Sequence, residues 1–127
     1  MEIAKEGGIA AVESVDGNYL YYSKYETSGI WRLPLKGGPE VRVPDKPDGI
    51  NWFNWSLVRN GIYLLNTAEK AKASVDFFDF ASGRVRHVFT LDKPWGWGLA
   101  VSPDEHSVLF VQSEFEESNI MIVKNFR

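Results

Sequence analysis

Five tryptophans carry most of the recognition chemistry in this chain. Four of them stand in two groups, Trp52 and Trp55 around Phe53, and Trp95 with Trp97. An indole offers flat apolar faces and one N–H donor, which suits sugars, peptides or a quaternary ammonium. Trp52, Trp55, Trp95 and Trp97 are therefore the candidate ligand or partner surface. The competing use is packing, because a wedge of large aromatics fills the gap between neighbouring sheets, and packing is the better-supported of the two.

The remaining reactive side chains do not assemble on paper. A catalytic histidine needs a nucleophile or carboxylate within hydrogen-bond reach. His87 falls in an outer strand and His106 in a turn, neither beside a motif, so both read as surface residues. Asp76 and Asp79 flank Phe77-Phe78, and strand alternation puts them on opposite faces, unable to share one ion. Glu114, Glu116 and Glu117 form an acidic hairpin loop. Calcium loops take about six to eight oxygens on a turn with glycine, so solvation is the simpler reading. No Gly-x-Ser-x-Gly elbow, His-Glu-x-x-His or phosphate-binding glycine loop occurs. The expectation is no catalytic residue, no metal site, no cofactor and no enzyme.

Composition narrows the class further. The chain has 127 residues, 44% of them hydrophobic and 24% charged, enough for one domain with one core. Aromatics reach 14%, which favours strands over helices. The net charge is −3 with scattered Lys and Arg, which argues against a phosphate-backbone footprint and so against nucleic acid. There is no cysteine, hence no disulfide and no thiolate metal site. The first residues, Met1 to Gly8, lack the basic and apolar regions of a signal peptide, and no apolar run is long enough for a membrane helix. As it stands the chain reads as cytoplasmic, without a membrane partner.

The elements that must position these residues repeat. Tyr22 to Trp31 matches Gln112 to Met121, ninety residues on, and the turns centred on Gly38 and Gly83 lie 45 residues apart. Asn60 to Leu65 fills the corresponding place between them, and Asp45-Lys46-Pro47 recurs as Asp92-Lys93-Pro94. Short strands at a period of about 40–50 residues are the mark of propeller blades. The expected fold is all-β, a half-propeller of three four-stranded antiparallel blades in a single segment. Blade one spans about 7–45, blade two about 48–92 and blade three about 95–127. The third blade is expected to lack its own outer strand, while residues 1–6 supply a spare one. Expected strands include Ile9–Ser14, Glu40–Val43, Val75–Phe80, Arg84–Phe89 and Ile120–Val123. Pro34 cannot donate to a ladder and belongs at a strand end or bulge. The stretch from Asn66 to Ala73 has no apolar stripe and reads as a mobile hairpin loop.

Ser102-Pro103-Asp104, then Val108 to Val111, then Ile120 to Val123, resembles the TolB-type, WD-like propeller repeat of Ser-Pro-Asp-Gly form. Ile30 to Gly38 looks like that family's third strand and glycine turn. The resemblance covers nearly the whole chain, which is also similar to the C-terminal end of large bacterial propeller proteins. Glu105 stands where the turn glycine is usual, and Ser56 to Gly61 departs from the motif altogether. A propeller motif specifies fold and leaves function open.

The resulting expectation is a non-catalytic binding or scaffold module. It is expected to self-associate as a homodimer, closing a six-blade ring, with a protein or glycan as ligand. Two alternatives stand beside it: a purely structural fragment or engineered half-propeller with no ligand, and a carbohydrate-binding lectin built on the tryptophan pairs.

Overall fold

The computed structural model describes residues 8–24, 29–43, 50–67, 72–114 and 117–124. Among them there are eleven strands and no helix. The first sheet runs in order through β1 (Gly8–Glu13), β2 (Tyr19–Lys24), β3 (Ile30–Pro34) and β4 (Val41–Arg42). The second runs through β5 (Ile50–Val58), β6 (Gly61–Asn66), β7 (Ser74–Asp79) and β8 (Val85–Thr90). The third holds β9 (Trp95–Val101), β10 (Ser107–Glu114) and β11 (Glu117–Lys124) in the same inner-to-outer sequence. All neighbours pair antiparallel, each joined to the next along the chain. The first strand of every sheet breaks register against its partner, between Ile9 and Val12, Ile50 and Trp55, and opposite Phe110 to Gln112. The chain is a set of propeller blades.

The motif turn explains why the strands start where they do. Asp16 accepts hydrogen bonds from Ser14 Oγ (2.6 Å) and Asn18 N (3.0 Å), while Ser14 Oγ accepts from Tyr19 N (3.0 Å). In the third blade Asp104 accepts from Ser102 Oγ (2.6 Å) and His106 N (2.9 Å), and Ser102 Oγ from Ser107 N (3.0 Å). The serine and aspartate thus tie up the backbone donors of a tight turn, as short polar side chains do. Gly17 takes φ 76° there, and Glu105 takes φ 59° in the same place.

Several strand ends differ from the expectation for local reasons. Val41–Arg42 is only two residues long, and Pro39, two residues before it, has no N–H to offer a ladder. Phe80 leaves β7 because its N–H goes instead to Asn60 O at 3.0 Å. The acidic loop is shorter than the sequence implied: Glu114 ends β10, Glu117 begins β11, and the two are paired. Pro34 is the last residue of β3, where its missing donor costs nothing. Residues 1–6, and 68–71 of the 66–73 loop, lie outside the described residues.

Packing follows from period two. Along β6, Ile62 and Leu64 enter one core while Tyr63 and Leu65 enter another, all 2% exposed or less. The first core joins Tyr21, Ile30 and Val43 of the first sheet to Trp55 and Phe78 of the second. The second core joins Val75 and Phe77 to Val108 and Phe110 of the third sheet. The middle sheet is therefore buried on both faces.

Candidate interaction surfaces

The tryptophan groups sit on the innermost strands, β5 and β9, which pack against each other. Trp55 is 7% exposed, and its indole N–H donates to Ser23 Oγ of the neighbouring sheet at 2.6 Å. That bond uses the donor a ligand would need. Trp95 is partly buried against the second core. Trp52 and Trp97 are placed in their strands, and their side chains lie outside the described residues.

Asn54, one residue from Trp55, points the other way. It is 1% exposed, its Nδ2 donates to Gly96 O at 3.0 Å, and its Oδ1 accepts from Gly98 N. Ser56 Oγ accepts from Val101 N at 3.3 Å. Alternation along β5 thus binds the first sheet through Trp55 and the third through Asn54 and Ser56. A Cβ at Gly96 would stand 2.5 Å from Val111 Cγ1, so this approach of β9 to β10 requires glycine.

His87 has a partner that the sequence hid. Pairing of β7 with β8 sets Asp76 opposite His87, and the ring Nδ1 lies 3.5 Å from Asp76 Oδ1. Its Nε2 is 3.3 Å from Thr90 Oγ1. Asp76, only 7% exposed, also accepts from Asn66 Nδ2 (3.2 Å) and Ser74 Oγ (3.0 Å). His87 stays at the surface, its side chain 57% exposed, and this cross-strand contact is what sequence spacing alone did not show. Asp79 turns outward and accepts from Ala81 N and Ser82 Oγ, so the two aspartates do stay apart. His106 lies in the motif turn, its backbone N–H held by Asp104. Among the described residues no cluster of three metal-ligating side chains forms.

Two sheet faces point away from the middle blade, and they differ. On the third sheet, Leu109 pairs with Ile122 and Val111 with Ile120, so these four share the outward face. Leu109, Ile120 and Ile122 are 44%, 75% and 51% exposed. On the first sheet the outward face carries a polar knot. Tyr22 OH donates to Glu40 Oε2, and Lys24 Nζ lies 2.5 Å from Glu40 Oε1 and 4.0 Å from the Trp31 ring centroid. Burial, reinforced by the Glu40 carboxylate, raises the Tyr22 pKa well above the ordinary phenol range. The Trp31 indole N–H is buried with no acceptor among the described residues.

No protein-family model matches the chain, and no curated protein matches it in sequence. Solved structures do match in shape. TolB from Acinetobacter baumannii superposes with a TM-score of 0.76 at 18% identity, covering 99% of this chain and 32% of that one. A TolB-type protein from Agrobacterium tumefaciens gives 0.71 at 21% identity, over 96% and 46%. Oligogalacturonate lyase from Vibrio parahaemolyticus gives 0.67 at 13% identity, over 87% and 35%. The chain therefore has the TolB-like β-propeller fold, and it spans between a third and a half of the length of these structures. At such identities the likeness speaks for the fold alone.

Proposed function

We propose that this chain is a non-catalytic propeller module for binding and scaffolding, completed as a six-blade ring by a second copy of itself. The observation that supports this most is the outward face of the third sheet. Its Leu109, Val111, Ile120 and Ile122 are the counterparts of Tyr63, Leu65, Val75 and Phe77, which the middle sheet buries beneath its neighbour. An apolar face of this kind is stable in water once another blade covers it. The buried Trp31 donor on the opposite outward face gives the same indication, since Trp55 satisfies its own N–H across a blade interface. Two copies bring six sheets, inside the range of about four to eight known for propellers, and three copies would bring nine. Closure joins unlike faces head to tail, and two such contacts complete the ring.

Light scattering on the purified chain tests the reading. A mass of twice 14.4 kDa at micromolar concentration is expected, and a stable monomer of 14.4 kDa would overturn it.

A further inference from the structure

A second recognition feature lies at the end of the middle blade and needs no assembly. The β5–β6 turn, carrying Arg59 and Asn60, and the β7–β8 turn, beginning at Phe80, close the same end of the sheet. Phe80 N donates to Asn60 O at 3.0 Å and ties the two turns together. Between them opens a cleft of about 600 Å³, whose lining includes Arg59, Asn60, Phe77, Phe80 and Arg86. That volume falls within the range of about 300–1,000 Å³ usual for small-molecule sites.

The cleft depends on Gly61. A Cβ there would lie 2.5 Å from Phe77 Cζ and 2.1 Å from Phe78 O. Glycine lets the turn descend onto the Phe77 ring, which is 4% exposed and belongs to the second core. Arg86 stands over that ring with its Cζ 5.0 Å from the centroid, a stacking contact that leaves its N–H edge free to donate. Asp79 also lines the cleft, but its carboxylate is engaged by Ala81 N and Ser82 Oγ at 3.2 and 3.1 Å.

Charge selects the ligand. The chain carries a net −3, yet neither Arg59 nor Arg86 has an ion-pair partner among the described residues. Two guanidinium groups against the single Asp79 carboxylate leave the concavity with a surplus of positive charge, which attracts an anion, and a planar fork of donors fits a carboxylate best. The Asn60 amide, in the same exposed turn as Arg59, can meet a neighbouring polar group of the ligand. We infer that this cleft binds a small organic carboxylate, with Arg59 and Arg86 clasping the carboxylate and Asn60 beside it.

The test is a side-chain arginine NMR titration of the intact chain with glucuronate and, separately, benzoate, with glucose and benzyl alcohol as neutral controls. Saturable shifts at Arg59 and Arg86 with one or both acids, and none with the neutral pair, are expected. Which acid saturates first distinguishes a sugar ring from an aromatic one. Arg59→Gln, in an exposed turn, should weaken binding about tenfold, the loss of one charge-assisted pair, at unchanged melting temperature. Arg86→Gln should do the same, and raising salt should weaken binding by the acid in the parent chain. Equal shifts with the neutral controls, or both variants binding within about twofold of the parent, would overturn the assignment.

Discussion

Glu105 is the one residue other than glycine among the described residues with a positive φ, and it stands where the repeat elsewhere has Gly17. A side chain in that region costs about 1 kcal/mol. What it gains is a hydrogen bond from Tyr63 OH to its Oε1 at 3.2 Å, reaching from the middle blade to the third. Glu105→Ala should therefore lose about 1 kcal/mol in denaturant melts, keeping the strain without the bond, whereas Glu105→Gly should stay within about 0.5 kcal/mol of the parent. Equal losses for both would show that strain is not involved. The turn aspartates give a second residue-scale outcome. Hydrogen bonds from Ser14 to Asp16 and from Ser102 to Asp104 hold both carboxyls below their ordinary pKa. A depressed folded pKa stabilises above the unfolded value, about 3.9, and that stabilisation is lost as pH falls through the folded one. The double variant Ser14→Ala, Ser102→Ala should lose part of this acid-dependent decline in thermal melts below about pH 4. Acid limbs that superimpose would count against it.

At the scale of elements, β5 is the strand on which the blades hang. Trp55→Phe keeps an aromatic ring but leaves the buried Ser23 hydroxyl, 0% exposed, without its indole partner, a cost of about 1–3 kcal/mol. Trp55→Ala removes the ring as well and should cost about 3–5 kcal/mol. Asn54→Ala should act on the other neighbour, freeing Gly98 N and Gly96 O. Its measure is hydrogen exchange: the Gly98 amide should lose protection while amides of β2 and β3 keep theirs. Uniform loss across all three sheets would mean that Asn54 holds the whole fold and not one joint.

At the scale of the molecule, the two apolar cores lie on either side of the middle sheet, and each outer sheet contributes apolar side chains to one of them. The outward face of the third sheet is aliphatic and that of the first is polar and knotted, so the two are not interchangeable. A charge placed on the aliphatic face should act on assembly before it acts on folding. Ile122→Asp, at a position already 51% exposed, should convert the proposed dimer into a 14.4 kDa species by light scattering with little change in melting temperature. Retention of the dimer would move the contact to another surface.

The blade pattern was legible because it is local. Period-two alternation, the Ser-x-Asp turns and the glycines at 38 and 83 each act within a few residues, and their repetition announced the propeller. The indoles could be placed on first strands for the same reason, although only folding showed that Trp55 spends its N–H on Ser23. What stayed hidden were contacts between residues far apart or on opposing strands. Asp76 meets His87 through cross-strand register, which one residue of slip would undo. Arg59 and Arg86 share a cleft because two turns of one sheet end together, a coincidence no spacing rule encodes. Strands follow from the order of side chains along the chain; sites follow from which strands become neighbours, and that was decided by burial in three dimensions.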